Sequence, residues 1–284
     1  MSHTLIIGGT GTVGHQVLCQ LLQRGTPVRV LTRNPEDARF PPRVEVVPGD
    51  LTRPETLDAC LESISTVFLV WVAPPAAVAP AIEQIIRHAR RIVFLSAPLK
   101  TAHPLFQQPN PARTLALQIE ERIEASGLQW TFLRPGMFAA NARQWWGPQI
   151  RAGDVVRWPY LFVPTAPIDE RDIAAVAVRA LCEDGHVGAE YVLTGPQSLS
   201  QFEQLSTIGR AIGRSLHIEE ITPDEARREL LTIMPAPVIN MLLDAWAAAS
   251  GQPAFVTSTV EEITGEPART FLEWATDHAP EFRG

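Results

Sequence analysis

The residues best suited to chemistry lie close to the N-terminus. Gly8-Gly9-Thr10-Gly11-Thr12-Val13-Gly14 follows a short apolar run at residues 4–7 and opens a stretch of helical periodicity at 13–24. In that setting each glycine has a physical job. Gly8 or Gly9 permits a tight turn, Gly11 lets the backbone approach a pyrophosphate, and Gly14 lets the helix pack closely on the strand. The free N–H groups and partial positive charge of the helix N-terminus then favour phosphate. The pattern points to a nicotinamide dinucleotide. A site for NAD usually places Asp or Glu about 20 residues further on, against the ribose hydroxyl. Here that place holds Arg33, in Thr32-Arg33-Asn34, whose planar fork suits a 2′-phosphate. The expected cofactor is therefore NADP(H). Asp50, in Gly49-Asp50-Leu51-Thr52, falls where an adenine contact belongs, or where a carboxylate opens a helix.

What could move a proton is scarce. The only Lys is Lys100, the other 23 basic residues being Arg, and the tyrosines are Tyr160 and Tyr191 alone. A Tyr acid activated by a Lys four residues later is absent, since position 164 is Pro and position 195 is Gly. The weak candidates that remain are Ser96, Lys100 and His103 after the fifth strand, and Tyr160. The aromatic set Phe138, Trp145, Trp146, Trp158, Tyr160 and Phe162 reads equally as a pocket for a flat acceptor or as packing. Asn141 lies in the same segment. No His, Cys or acidic cluster has metal-ligand spacing, and no Gly-x-Ser-x-Gly elbow occurs.

The elements that must position these residues alternate. Strand patterns at 4–7, 28–31, 44–47, 66–72, 92–96 and 130–133 are separated by helical ones at 13–24, 54–61, 78–90 and 112–125. Apolar strands between such helices predict βαβ units, right-handed crossovers and a Rossmann-like, doubly wound parallel sheet of the α/β class. A helix at 172–182 and a strand at 191–193 return to that sheet. The predicted division is an NADP(H)-binding domain over 1–150, rejoined by 168–195, and a small, mostly helical substrate lobe from 151–167 and 196–284, with one strand near 216–221.

The 284 residues are enough to bury a core without disulfides or metals. A net charge of -7 offers no basic excess for nucleic acid or a membrane surface. No apolar stretch is long enough to span a bilayer, and no secretory leader opens the chain. Cys19, Cys60 and Cys182 are odd in number, widely spaced and set in apolar helical patterns. They read as buried free thiols in a reducing cytoplasm. The expected partner is a small-molecule substrate, with a homodimer as the assembly the reading allows.

The ordered set of motifs resembles the NmrA-like atypical short-chain dehydrogenase/reductases. It comprises the glycine turn at 8–14, Thr-Arg-Asn-Pro at 32–35 and Gly-Asp-Leu at 49–51. It continues with Ser-Gly-Leu-Gln-Trp-Thr-Phe-Leu-Arg-Pro-Gly-Met-Phe at 126–138, Asn141, Asp-Glu-Arg-Asp-Ile-Ala at 169–174 and Tyr-Val-Leu-Thr-Gly-Pro at 191–196. The resemblance implies that Gly8, Thr10, Gly11, Thr12, Val13 and Gly14 hold the pyrophosphate. Arg33 would meet the 2′-phosphate, and Asp50 and Leu51 the adenine. Trp71, Val72, Ala73 and Ser96 would line the nicotinamide end, with Pro135 and Phe138 closing over it. Phe138, Asn141, Trp145, Trp158 and Tyr160 would face substrate. Some relatives carry a Lys or His on the helix before the Ser-Gly turn, whereas here that neighbourhood is Leu115-Ala116-Leu117-Gln118. The expected activity is hydride transfer from NADPH to an easily reduced quinone, enone or imine. A non-catalytic cofactor sensor and a redox-neutral biosynthetic enzyme are the alternatives.

Overall fold

The structure is a computed structural model that describes residues 3–36 and 38–283. The N-terminal part runs β1 (His3–Ile7), α1 (Thr12–Gln23), β2 (Val28–Thr32), β3 (Glu45–Pro48), α2 (Leu57–Leu61), β4 (Ile64–Val70), α3 (Val78–His88), β5 (Arg91–Leu95), α4 (Pro104–Gln107), α5 (Pro111–Glu124) and β6 (Gln129–Pro135). There follow α6 (Asn141–Trp145), α7 (Gly147–Ala152), β7 (Val155–Trp158), β8 (Pro164–Thr165), α8 (Glu170–Cys182) and β9 (Ala189–Leu193). The C-terminal part holds β10 (Leu199–Ser200), α9 (Gln201–Ile212), β11 (His217–Glu220), α10 (Pro223–Leu230), α11 (Ala236–Ala249), α12 (Thr259–Thr264), α13 (Phe271–Asp277) and α14 (Ala279–Phe282).

Seven strands form one parallel sheet in the order β3-β2-β1-β4-β5-β6-β9. The strand order reverses between β1 and β4, which opens a crevice outside their carboxyl ends. Side chains alternate faithfully across the sheet. Ile6, Phe68, Val93 and Leu133 join the apolar cluster with α1 and α8. Leu5, Ile7, Leu69, Phe94 and Phe132 join the opposite one with α2, α3 and α5. This alternation decides where polar residues at strand ends point. Leu95 packs toward the first face, so Ser96 falls on the α5 side.

A third apolar cluster is the core of the lobe. It draws on Leu105 and on Ala139, Ala142, Trp146 and Ile150 as well as on α9, α11 and α13. Residues 139–150, expected with the first domain, thus share the lobe's core. Capping boxes start α9 at Ser200, α10 at Thr222 and α13 at Thr270. β11 pairs in parallel with β7, giving the strand expected near 216–221 its partner.

The expectation of three buried thiols is corrected. Cys60 is buried, Cys19 is half-buried and Cys182 is exposed. Cys182 is the last residue of α8, where its neighbours include the polar Arg24, Thr26, Glu183 and Arg91. No described helix is long and apolar enough to cross a membrane.

Candidate functional site

The cofactor cleft grows out of the turn between β1 and α1. Gly8 has a φ of 90°, and Gly11 N donates to Gly8 O at 3.0 Å, closing the turn. A Cβ on Gly14 would sit 2.2 Å from Gly8 O, so only glycine lets the helix rest on the turn. The 12-residue α1 starts without a side-chain cap and without an acid in its first turn. Its first N–H groups are therefore free for an anion.

Two cavities, about 420 and 440 Å³, meet along Gly8, Gly11 and Val70. The second takes in Arg33, Asn34, Asp50, Leu51, Val72 and Ala73. Asp50 accepts from Thr52 N and Thr52 Oγ1, both at 2.8 Å. Those bonds, with the Arg33 and Arg53 charges nearby, hold its carboxyl below the usual range. The first cavity takes in Thr12, Val13, Leu95, Phe138, Asn141 and Arg143. The donors, the cation and the apolar walls match a phosphorylated dinucleotide laid across the crevice.

Several predicted residues lie elsewhere. Trp71 lines neither cavity; its indole N–H donates to Ala73 O and its ring packs on the α2–α3–α5 side. Val72 and Ala73 line the Arg33 end of the cleft and not the Phe138 end. Pro135 is buried in β6. Trp158 is fully buried, donates from Nε1 to Gln201 Oε1 at 2.6 Å, and packs with Trp145, Trp146 and Trp246. Of the aromatic set, only Phe138 lines the first cavity, and the tryptophans there mainly build the lobe's core. Tyr160 sits in a tight turn with φ 53°, its carbonyl accepting from Gln201 Nε2 and its ring packed against that core.

The polar residues after β5 are committed to partners. Ser96 Oγ donates to Glu120 Oε1 at 2.6 Å. Arg134, 1% exposed, grips Glu120 with Nε at 3.1 Å and Nη2 at 2.6 Å. Its Nη1 reaches Glu190 Oε2 at 2.5 Å, and Lys100 Nζ reaches Glu190 Oε1 at 2.6 Å. Burial opposes the Glu190 charge, but Lys100 and Arg134 together hold its carboxyl below its ordinary value. His103 accepts from Leu105 N at Nδ1, which puts the proton on Nε2 facing Pro253 O at 2.9 Å. Nδ1 thereby caps α4, and Nε2 ties the loop to the segment between α11 and α12. Tyr191, the other tyrosine, pairs its hydroxyl with His186 Nδ1 at 2.8 Å beside the edge strand β9.

Sequence reasoning missed Arg143 and Gln144 on the cleft wall. They belong to the five-residue α6, too short for any periodicity to register. It also missed the Glu120–Arg134–Glu190 chain. Its members lie on three separate elements, and Glu120 sits among other charged residues of α5, so their mutual contact is revealed only by the fold.

A doubly wound sheet with a glycine-turn cleft at its switch point defines a nicotinamide-dinucleotide-binding protein, and comparison with known proteins narrows the class. A family described as NAD(P)H-binding matches residues 8–184, and the chain belongs to it, among the NmrA-like atypical short-chain dehydrogenase/reductases. A Streptomyces griseus (4-alkanoyl-5-oxo-2,5-dihydrofuran-3-yl)methyl phosphate reductase is 37% identical, with 98% of each chain covered. A Xenophilus azovorans NAD(P)H azoreductase is 32% identical, again with 98% of each covered. Among solved structures, the Citrobacter triphenylmethane reductase complexed with NADP(H) superimposes with a TM-score of 0.78 at 18% identity, covering 98% of this chain and 99% of that one. The Escherichia coli NADPH-dependent quinone oxidoreductase gives 0.79 at 20% identity, covering 96% and 98%. The protein is an NAD(P)H-dependent oxidoreductase, a reductase on this fold.

Proposed function

We propose that this chain uses NADPH to reduce a small conjugated or aromatic acceptor, of quinone, enone or imine type, without a Tyr–Lys acid. One observation carries the reading: Ser96, Lys100 and His103, the polar candidates near the carboxyl ends of the sheet, are already bonded within the protein. NADPH supplies a hydride when bound. The chain's own residues bind, orient and exclude water. The glycine turn and the α1 N-terminus hold the pyrophosphate, Arg33 holds the 2′-phosphate, and Asp50 and Leu51 flank the adenine. Phe138 and Leu95 provide the apolar surface against which an acceptor lies, and the Asn141 amide orients its oxygen or nitrogen.

A quinone or an enone needs no strong acid, and an imine enters already protonated as its iminium, which hydride converts to the neutral amine. Hydride added to a quinone or to the β-carbon of an enone leaves a delocalised anion. Water then supplies the one proton that completes the two-electron reduction. The Streptomyces griseus relative supports this choice, since the compound in its name has a ring double bond, C3=C4, conjugated through C4 with both the ring carbonyl and the alkanoyl group. The Xenophilus azovorans azoreductase is another reductase of a conjugated acceptor.

The test follows the nicotinamide absorbance of NADPH mixed with the protein and a panel of quinones, enones and imines. Acceptor-dependent oxidation is expected. Clear NADPH binding with no oxidation by any acceptor would overturn the reading in favour of a cofactor sensor.

A further inference from the structure

Beside the cofactor cleft lies a smaller cavity of about 150 Å³, between the loops after β5 and β6 and the face of α11. Neighbouring residues in the chain wall the two spaces. Leu95 and Phe138 face the cleft, whereas Ala97 and Met137 face the smaller cavity. Its far side is apolar, formed by Met241, Leu242 and Trp246. It holds room for roughly five water-sized groups, so it suits a short chain and not a second nucleotide.

Among the described residues, Arg113 is the only charged one lining this cavity. It occupies the third position of the 14-residue α5, after the Asn110 cap, in a first turn without any acid. A cation there adds to the positive end of the helix dipole and is unfavourable for the helix itself. The guanidinium is held in place, with Nη2 donating to Leu99 O at 2.7 Å and Nη1 to Gln108 O at 3.4 Å. Its Nε is buried and has no partner. Arg113 has no carboxylate partner among the described residues, and none lines the cavity. The two buried arginines of the sheet, Arg29 and Arg134, each have an acid, whereas Arg113, half-buried on α5, has none among the described residues. An uncompensated guanidinium that lines an apolar cavity, with a second N–H left on each of Nη1 and Nη2, is an arrangement that an incoming anion completes.

We propose that this cavity holds the tail of the acceptor and selects substrates with a short apolar segment and an anionic group, carboxylate or phosphate, bound by Arg113. The proposal rests on the reductase reading, because the cavity serves an acceptor whose reacting end lies in the adjoining cleft.

The test measures binding without turnover. The full chain, saturated with NADP⁺, is titrated with hexyl phosphate, hexanoate, hexanol and inorganic phosphate, and the rise in melting temperature gives each affinity. At least one of the two alkyl anions is expected to bind about tenfold or more tightly than hexanol, the scale of a charge-assisted hydrogen bond. The tighter of the two names the group. Arg113→Met should remove that preference, and Arg113→Lys should keep part of it. Ala245→Trp, which fills the cavity from α11 and leaves Arg113 in place, should abolish binding of all three hexyl compounds. Hexanol binding as tightly as both anions would overturn the proposal. So would inorganic phosphate matching hexyl phosphate, or Arg113→Met weakening all ligands equally. A protein that binds hexyl phosphate through Arg113 yet oxidises NADPH with no acceptor keeps the site and loses the reductase reading.

Discussion

Arg134 at the end of β6 meets Glu120 of α5 through two parallel N–H···O bonds, 3.1 and 2.6 Å long, and both side chains are only 2% exposed. The pair ties the strand that leads into the cleft wall to the helix that carries Arg113. Removing Glu120 leaves the buried guanidinium without its bidentate partner and with only the part-exposed Glu190 as counter-ion. Glu120→Ala should therefore cost about 3–5 kcal/mol of stability, read from urea unfolding. Replacing both residues, as Glu120→Leu with Arg134→Met, should recover most of that loss. A single variant as stable as wild type would show that water or Glu190 compensates Arg134.

Ser96 donates to Glu120 and points away from the cleft. Ser96→Ala removes one donor while Arg134 still satisfies the carboxylate, so it should cost only about 1 kcal/mol. Steady-state turnover should change by no more than a few-fold. A fall in kcat of about a hundredfold, the range for a lost proton donor, would return Ser96 to the chemistry.

Arg33 and Asp50 line the same end of the cleft. Arg33→Ala should weaken NADPH about tenfold or more, as measured by fluorescence titration, and leave NADH nearly unchanged. Equal weakening of both cofactors would remove its assigned 2′-phosphate contact.

Gly14 packs its α-carbon where a methyl group would overlap Gly8 O. Gly14→Ala should push the turn apart, cost about 1–3 kcal/mol in stability and reduce NADPH affinity by calorimetric titration. Gly153→Ala is the control, because its backbone is extended and nothing lies within 4 Å of the added carbon. If both glycines tolerate alanine equally, close packing at Gly14 has no bearing on the cleft.

Asp172, near the start of α8, is 6% exposed and accepts from Arg269 N at 2.8 Å. Burial pushes its carboxyl up from 3.8 to about 7, against the lowering effect of that hydrogen bond. A carboxyl raised on folding favours the protonated native state. Its contribution is complete below pH 3.8 and is lost as the pH rises to about 7. Asp172→Asn keeps the acceptor oxygen and removes the titration. Its stability relative to wild type should rise between pH 4 and pH 7 and level off above, in melts taken at each pH. A constant difference across that window would show that Asp172 does not titrate there.

Much of this molecule is legible in one dimension. The glycine turn, Arg33 and Asp50 announce themselves because they sit at fixed distances from strand ends along a single βαβ path. The alternation of apolar strands and helices predicts the doubly wound sheet because both of its faces must be covered. The clustering of tryptophans in sequence does not say which way their rings turn. The fold turned most of them inward, since four indoles bury more apolar surface as a core than they would around a cleft. The proton-transfer candidates met the same limit. Ser96, Lys100 and His103 are close in sequence, but their partners Glu120, Glu190 and Pro253 come from three other places in the chain. The sequence by itself determined that a dinucleotide cradle exists and that neither tyrosine has a Lys four residues on, because both depend on residues a few positions apart. Only the tertiary structure decided which polar groups are already bonded and that Arg113 lines a cavity without a carboxylate partner among the described residues, because hydrogen-bond satisfaction joins residues far apart in the chain.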